Sequence, residues 1–324
     1  MTPGDPADPV FILAAPRSFS SVACAMLGQH PQTYGLPETH LFIADTLAGW
    51  WSRGSGESYQ MQHGLFRAVA EIFFHEQTER SVALATGWLR RRAGHTAGMV
   101  LEELAWAVHP RALVEKSPST AYSIESMRRA DQLFPGARFI HLVRHPRTYG
   151  QSVLRYREAL GRRVYRPRER AEQVGAVPQW IVDLATVPAG DGDGGRTDPQ
   201  HGWYTLNRNV VTFLASVPAQ RWVVVHGEDL LRQPESTTRR LAEWLGLRAD
   251  EHAVASMLHP ERSPFARFGP SGARLGNDIF FLERPALRPS RATPAGLDGA
   301  LDWLPDGGGF APEVRDLARH LGYA

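Results

Sequence analysis

Arg17, Ser18, Ser20 and Ser21 crowd into the short stretch PRSFSS, with Phe19 among them and Pro16 stiffening the approach. A guanidinium, several hydroxyls and the unpaired amides of a helix starting near Phe19 are the parts that hold a phosphate group. A second set stands in RHPRTYGQS, where Ser152 follows Arg144 by eight residues. If Pro146 opens a helix, Ser152 lies about two turns in, on a face that looks back at Arg144. The pair could grip a second phosphate. Lys116, in VEKSPS, puts an ammonium where another helix is about to begin, against that helix's dipole, so the cation calls for a reason other than local stability.

These residues sit at the ends of strands. Val10 to Ala14 is continuously apolar, as in a parallel strand covered on both faces, and a small-residue helix follows PRSFSS through Met26. Phe139 to Val143 is a second such run, with Arg144 at its carboxyl end, and Ala112 to Val114 is a third, leading into EKSPST. Thr33 to Leu36 and RWVVVH, Arg221 to His226, complete the strand candidates. Helical patterns fall over Gly64 to His109, from about Ser119 to Phe134, over His201 to Val217, and from near Pro234 to about Gly246; APEVRDLARHLGYA closes the chain as an amphipathic helix. The alternation predicts an α/β fold with a central parallel sheet flanked by helices, in one domain spanning 1–324. An Arg-rich, then Gly- and Asp-rich insertion at about 161–200, with a helix near Val177 to Thr186, reads as either a disordered excursion or a lid.

PRSFSS alone is also a serine-rich N-cap of an ordinary helix. GxxxxGK[ST] is absent, which weakens an ATPase or kinase reading. The two motifs together, in this order, resemble the cofactor signatures of sulfotransferases that use 3′-phosphoadenosine 5′-phosphosulfate. PRSFSS resembles their 5′-phosphosulfate loop and RHPRTYGQS their 3′-phosphate motif. The resemblance implies a P-loop-like sulfotransferase fold, a donor held by Arg17, Ser18, Phe19, Ser20, Ser21, Arg144 and Ser152, 3′-phosphoadenosine 5′-phosphate as product, and no metal. It also implies a Gly- and Arg-containing loop over the 3′-phosphate, for which Gly272 and Arg274 are the nearest equivalents, with Gly276 beside them, although the usual Arg-Lys-Gly triplet is missing.

Sulfuryl transfer needs a cradle for the leaving bisphosphate, a cation on the bridging oxygen and a base for the acceptor hydroxyl. Lys116 matches the family's cation, with Glu115 as its orienter or as a cap of the next turn. Phenol-type members carry a His two residues beyond that lysine, where this chain has Pro118. Glu38 in GLPETH, which resembles the glutamate of tyrosyl-protein and some bacterial carbohydrate sulfotransferases, is the first choice for the base. Its apolar neighbours Leu36 and Leu41 provide desolvation. His259 is the second candidate and His40 the third.

LPETHLF, VEKSPS, HPERSPFARFGP and GNDIFFLERP resemble the sulfotransferase domains of polyketide and olefin synthases. Those domains sulfonate the β-hydroxyl of an acyl chain on a carrier protein, so the expected partner is a carrier-bound or small-molecule hydroxyl. A discrete natural product or a sugar is the alternative acceptor. A nucleotide kinase and a non-catalytic nucleotide-binding module remain as readings of another class.

The formal net charge of +2 argues against a general nucleic-acid binder. The single cysteine, Cys24, excludes internal disulfides and reads as a buried packing thiol. The amino terminus MTPGDPADPV lacks a basic region followed by an apolar core, and no apolar run has transmembrane length; a soluble, cytoplasmic protein is expected.

Overall fold

The computed structural model describes residues 5–53, 60–164, 198–288 and 296–324. Five strands, β1 (Val10–Leu13), β2 (Thr33–Gly35), β3 (Ala112–Glu115), β4 (Arg138–Val143) and β5 (Trp222–His226), form one sheet in the order β2-β3-β1-β4-β5. Every pairing is parallel, with Phe11 opposite both Glu115 and Phe139, and Val143 opposite His226. The expected α/β fold is what the chain adopts.

Alternation along β1 explains its unbroken apolar run. Phe11 and Leu13 enter one core with Phe42, Leu65, Leu104 and Phe139, while Val10 and Ile12 enter another with Met26, Leu27, Ile140 and Leu142. The rings of Phe11 and Phe139 stack with centroids 5.7 Å apart. Each such fully buried side chain contributes roughly 1.5–3 kcal/mol before chain entropy is charged. A third cluster joins Tyr149, Val153 and Trp203 to Val314 and Ala318 of the C-terminal helix Pro312–His320.

The helices that place the site are α1 (Ser20–Leu27), α2 (Leu47–Arg53), α3 (His63–Phe74), α4 (Glu79–Arg90), α5 (Ala97–Val108), α6 (Ile124–Leu133), α7 (Pro146–Val164) and α8 (Pro199–Leu214). α1 lies tight on the sheet because Gly28 meets Gly35 without side chains between them; a Cβ on Gly28 would fall 2.5 Å from the Gly35 nitrogen. The single helix expected over 119–134 is instead a 3₁₀ turn, Pro118–Tyr122, followed by α6. Ser123 separates them because its hydroxyl accepts the Ser126 N–H and starts a new helix. The insertion expected at about 161–200 begins in the last turn of α7 and ends in the first of α8; its interior, with the helix expected near 177–186, lies outside the described residues.

From β1 the chain crosses to β2 on one side of the sheet, and from β3 it passes to β4 on the other. The connections therefore part at the carboxyl ends of β1 and β3, where open parallel sheets form a ligand crevice. The segment after β1, Lys116 after β3, Arg144 after β4 and Gly227 after β5 all lie along that edge.

Candidate active site

The turn from β1 into α1 carries two non-glycine residues at positive φ, Arg17 at 68° and Phe19 at 67°. Conformations of this kind cost about 1–3 kcal/mol each and persist where surroundings over-determine them. Here Arg144 Nη1 donates to the Arg17 carbonyl at 2.6 Å, and its guanidinium carbon lies 4.3 Å from the Phe19 ring centroid. Gly227 leaves room for that ring: a Cβ there would fall 2.4 Å from Phe19 Cδ2. The bend turns the opening N–H groups of α1, which have no partners inside the helix, toward the crevice. Ser18 Oγ is buried beside them, the residue 1% exposed, without a hydrogen-bond partner among the described residues.

Arg17 Nε donates to Ser152 Oγ at 3.4 Å, so the first loop and the α7 serine meet through one guanidinium. Its other contacts are an ion pair with Asp278 and the rings of Tyr156 and Phe280, each 4.9 Å from the guanidinium carbon. Burial lowers Arg17 and Arg144 to about 10, which leaves both cationic at neutral pH. Arg144 Nε also donates to Thr148 Oγ1 at 3.1 Å. Behind it Glu228 accepts from the His145 N–H at 2.9 Å and from the Tyr323 hydroxyl at 3.1 Å, so this carboxylate ties the strand end to the C-terminal residues.

Lys116 is 1% exposed. Its Nζ donates to Ser21 Oγ at 2.8 Å and forms an ion pair with Glu38. Burial would raise the Glu38 carboxyl, but the Lys116 ammonium, with His40, outweighs it and brings the group down to about 2. The desolvation expected around Glu38 is therefore present and overridden while Lys116 stays paired.

His40, at φ 51°, faces Glu38 with Nε2 at 3.6 Å and holds Ser119 Oγ at 2.7 Å through Nδ1. Glu115 braces this turn. Its carboxylate accepts Thr39 Oγ1 at 2.9 Å, the Ser117 N–H at 3.2 Å and the Ser117 hydroxyl, which in turn accepts the His40 N–H at 2.8 Å. Burial pushes the Glu115 carboxyl up, against the hydrogen bonds from Ser117 and Thr39.

Two backbones converge on that of Glu38. Its N–H donates to the Gly276 carbonyl at 2.7 Å, and a Cβ on Gly64, in the first turn of α3, would fall 1.9 Å from the Glu38 backbone carbonyl oxygen. Gly276, at φ 103°, lies so close that its own Cβ would come within 2.7 Å of the Gly64 Cα. Arg67, buried on α3, fixes this segment by donating to the carbonyls of Leu275 at 2.8 Å and Arg267 at 2.7 Å.

The structure thus gathers Arg17, Ser18, Phe19, Ser20, Ser21, Glu38, His40, Lys116, Arg144 and Ser152 along one edge. The other candidates have partners of their own. His259 pairs with its neighbour Glu261 at 2.8 Å, both about two-fifths exposed. Gly272 donates its N–H to the Glu79 carboxylate at 3.2 Å, a poor setting for a phosphate, and Arg274 stacks on Phe268 at 4.7 Å. The loop does close on the site, but through Gly276 and Asp278. Asp278, Tyr156, Phe280, Gly64 and Gly227 were not among the residues sequence reasoning singled out. For Asp278 a signal exists, since Asp directly before the apolar run IFFLE is a helix N-cap pattern.

A hydroxyl without a partner, free helix amides, two guanidiniums and an ammonium suit a ligand carrying separated anionic groups. Among the described residues no group of three or more His, Cys, Asp or Glu side chains is arranged to hold a metal ion, and no helix is long and apolar enough to cross a membrane.

The profile described as "Sulfotransferase family" matches residues 9–191 and 192–251. No curated protein matches the chain. Among solved structures, the sulfotransferase domain from the Synechococcus PCC 7002 olefin synthase superposes with a TM-score of 0.70 at 24% identity, covering 100% of this chain and 98% of that one. The sulfotransferase domain from the curacin biosynthetic pathway does so with a TM-score of 0.68 at 20% identity, covering 99% of each. At these identities the likeness is one of fold.

Proposed function

The chain belongs to the sulfotransferase family, and we propose that it moves a sulfuryl group from 3′-phosphoadenosine 5′-phosphosulfate to a hydroxyl acceptor, the β-hydroxyl of a carrier-bound acyl chain. The observation that carries this reading is Lys116, whose single ammonium touches both Ser21 of the anion loop and the Glu38 carboxylate. In-line displacement puts the attacking hydroxyl and the leaving oxygen on opposite sides of one sulfur atom, so the base for the first and the cation for the second belong to one small site.

The donor supplies an activated sulfuryl group with a bisphosphate as leaving group. The free amides of α1, Ser18, Ser21 and Arg17 bind the transferring end, and Arg144 with Ser152 orients the other. While Lys116 rests on Glu38 the carboxylate is a weak base. As the ammonium turns toward charge developing on the bridging oxygen, Glu38 loses its strongest stabilising neighbour and gains proton affinity. Glu38 then takes the acceptor proton, with His40 facing its other oxygen at 3.6 Å. The two roles are thereby timed by one ion pair.

For the acceptor, the sequence segments that resemble polyketide and olefin synthase domains favour a carrier-bound β-hydroxyacyl chain, in keeping with the provenance of the two structural neighbours. The experiment is a panel of carrier-bound β-hydroxyacyl chains, free alcohols, phenols and sugars, each mixed with labelled donor. Label entering the carrier-bound substrate supports the proposal. Preferential labelling of a free phenol or sugar overturns the acceptor assignment.

A further inference from the structure

Each cation beside Ser21 already holds a carboxylate: Lys116 pairs with Glu38, and Arg17 pairs with Asp278. Glu38 has work of its own in the mechanism above; Asp278 has none. We propose that Asp278 holds the Arg17 guanidinium in place of the donor's anionic group and weakens nucleotide binding because it must yield that guanidinium. The inference rests on the donor assignment made above.

The two carboxylate oxygens of Asp278 do separate things. Oδ1 accepts the N–H groups of Phe280 at 3.0 Å and Phe281 at 3.2 Å, capping the short helix Ile279–Glu283. Oδ2 faces Arg17. The Asp278 N–H also reaches Ser21 Oγ at 3.3 Å, so the residue sits directly over the anion loop. A guanidinium resting against the Tyr156 and Phe280 rings, its side chain 14% exposed, is largely out of water and needs a counter-charge. A phosphate or sulfate arriving at Arg17, Ser18 and Ser21 supplies one, and then meets the carboxylate as a like charge at short range. Either the carboxylate moves off with residues 276–280 or the ligand binds less tightly.

Asn is as good an N-cap as Asp, so Asp278→Asn keeps the cap while removing the charge. Titration of 3′-phosphoadenosine 5′-phosphate by calorimetry is expected to give a dissociation constant at least about fivefold lower for Asp278→Asn than for wild type, the effect of relieving one screened like-charge contact. Asp278→Ser, a second neutral capping residue, is expected to tighten binding in the same direction and stands in if the Asn variant misfolds. A residue that merely fastens the loop gives the opposite sign. Unchanged or weaker binding in the folded variants, with wild type binding normally, overturns the inference and leaves the donor assignment standing. No binding by wild type or by either variant overturns both.

Discussion

Arg144 Nη1 donates to the carbonyl of Arg17 at 2.6 Å across 127 residues of sequence. The cation at the end of β4 thereby holds the backbone of the loop after β1 and joins the two sequence motifs. Arg144→Ala removes a charged hydrogen bond and the packing on Phe19 together. It is expected to weaken binding of 3′-phosphoadenosine 5′-phosphate by about 10- to 100-fold, the worth of one or two charge-assisted bonds. Calorimetric titration measures this; an unchanged dissociation constant would remove Arg144 from the donor site.

Lys116→Ala should behave differently. The ammonium is assigned to charge that appears only in the transition state, so kcat is expected to fall by about 10²- to 10³-fold while nucleotide affinity stays within a few-fold. Single-turnover kinetics alongside equilibrium titration separate the two. Affinity lost in Lys116→Ala with turnover retained in Arg144→Ala would reverse the assigned roles.

Gly64→Ala offers a test that touches no charged group. Alanine ordinarily stabilises a helix over glycine, and Gly87→Ala in α4, where the nearest atom to a new Cβ is Arg91 Nη1 at 3.5 Å, should gain about 0.5–1 kcal/mol. At Gly64 the Cβ would fall 1.9 Å from the Glu38 backbone carbonyl oxygen. That variant is expected to lose about 1–3 kcal/mol and most of its activity as the Glu38 turn is displaced. Urea unfolding of both variants reads the predicted opposite signs.

The motifs of the candidate site were legible wherever it lies at the end of a strand. PRSFSS, VEKSPS and RHPRTYGQS are local, and the strands before them are apolar without a break because both faces are covered. Glu38 was legible because GLPETH follows the short β2. What the sequence hid depends on distant backbones meeting. No glycine marks the positive φ values at Arg17 and Phe19, because contacts from Arg144 hold that bend. Asp278 lies in an aperiodic segment held by Arg67, a buried arginine on another helix, whereas the resemblance to a Gly- and Arg-containing family loop pointed to Gly272 and Arg274.

Acid should destabilise the protein in a defined window. Burial lowers His63, His141 and His145 to about 4 from an ordinary 6.5, so below 6.5 the unfolded chain binds protons that the folded chain refuses. Their contribution is complete above pH 6.5 and is lost as pH falls toward 4, by up to about 1.4 kcal/mol per pH unit for each group. Urea midpoints measured across that range should show the decline, and His141→Gln, which keeps a polar partner for Asn207, should flatten it. An equally steep decline in the variant would remove His141 from the account.

The ion pair between Lys116 and Glu38 is where the proposed chemistry converges, so the most direct measurement is transfer of label from 3′-phosphoadenosine 5′-phosphosulfate to a carrier-bound β-hydroxyacyl chain by wild type, Lys116→Ala and Glu38→Gln. Wild type should transfer it, and both variants should bind 3′-phosphoadenosine 5′-phosphate yet fail to turn over. Transfer by the variants at the wild-type rate, or label that never leaves the donor with wild type and any hydroxyl offered, would contradict the account.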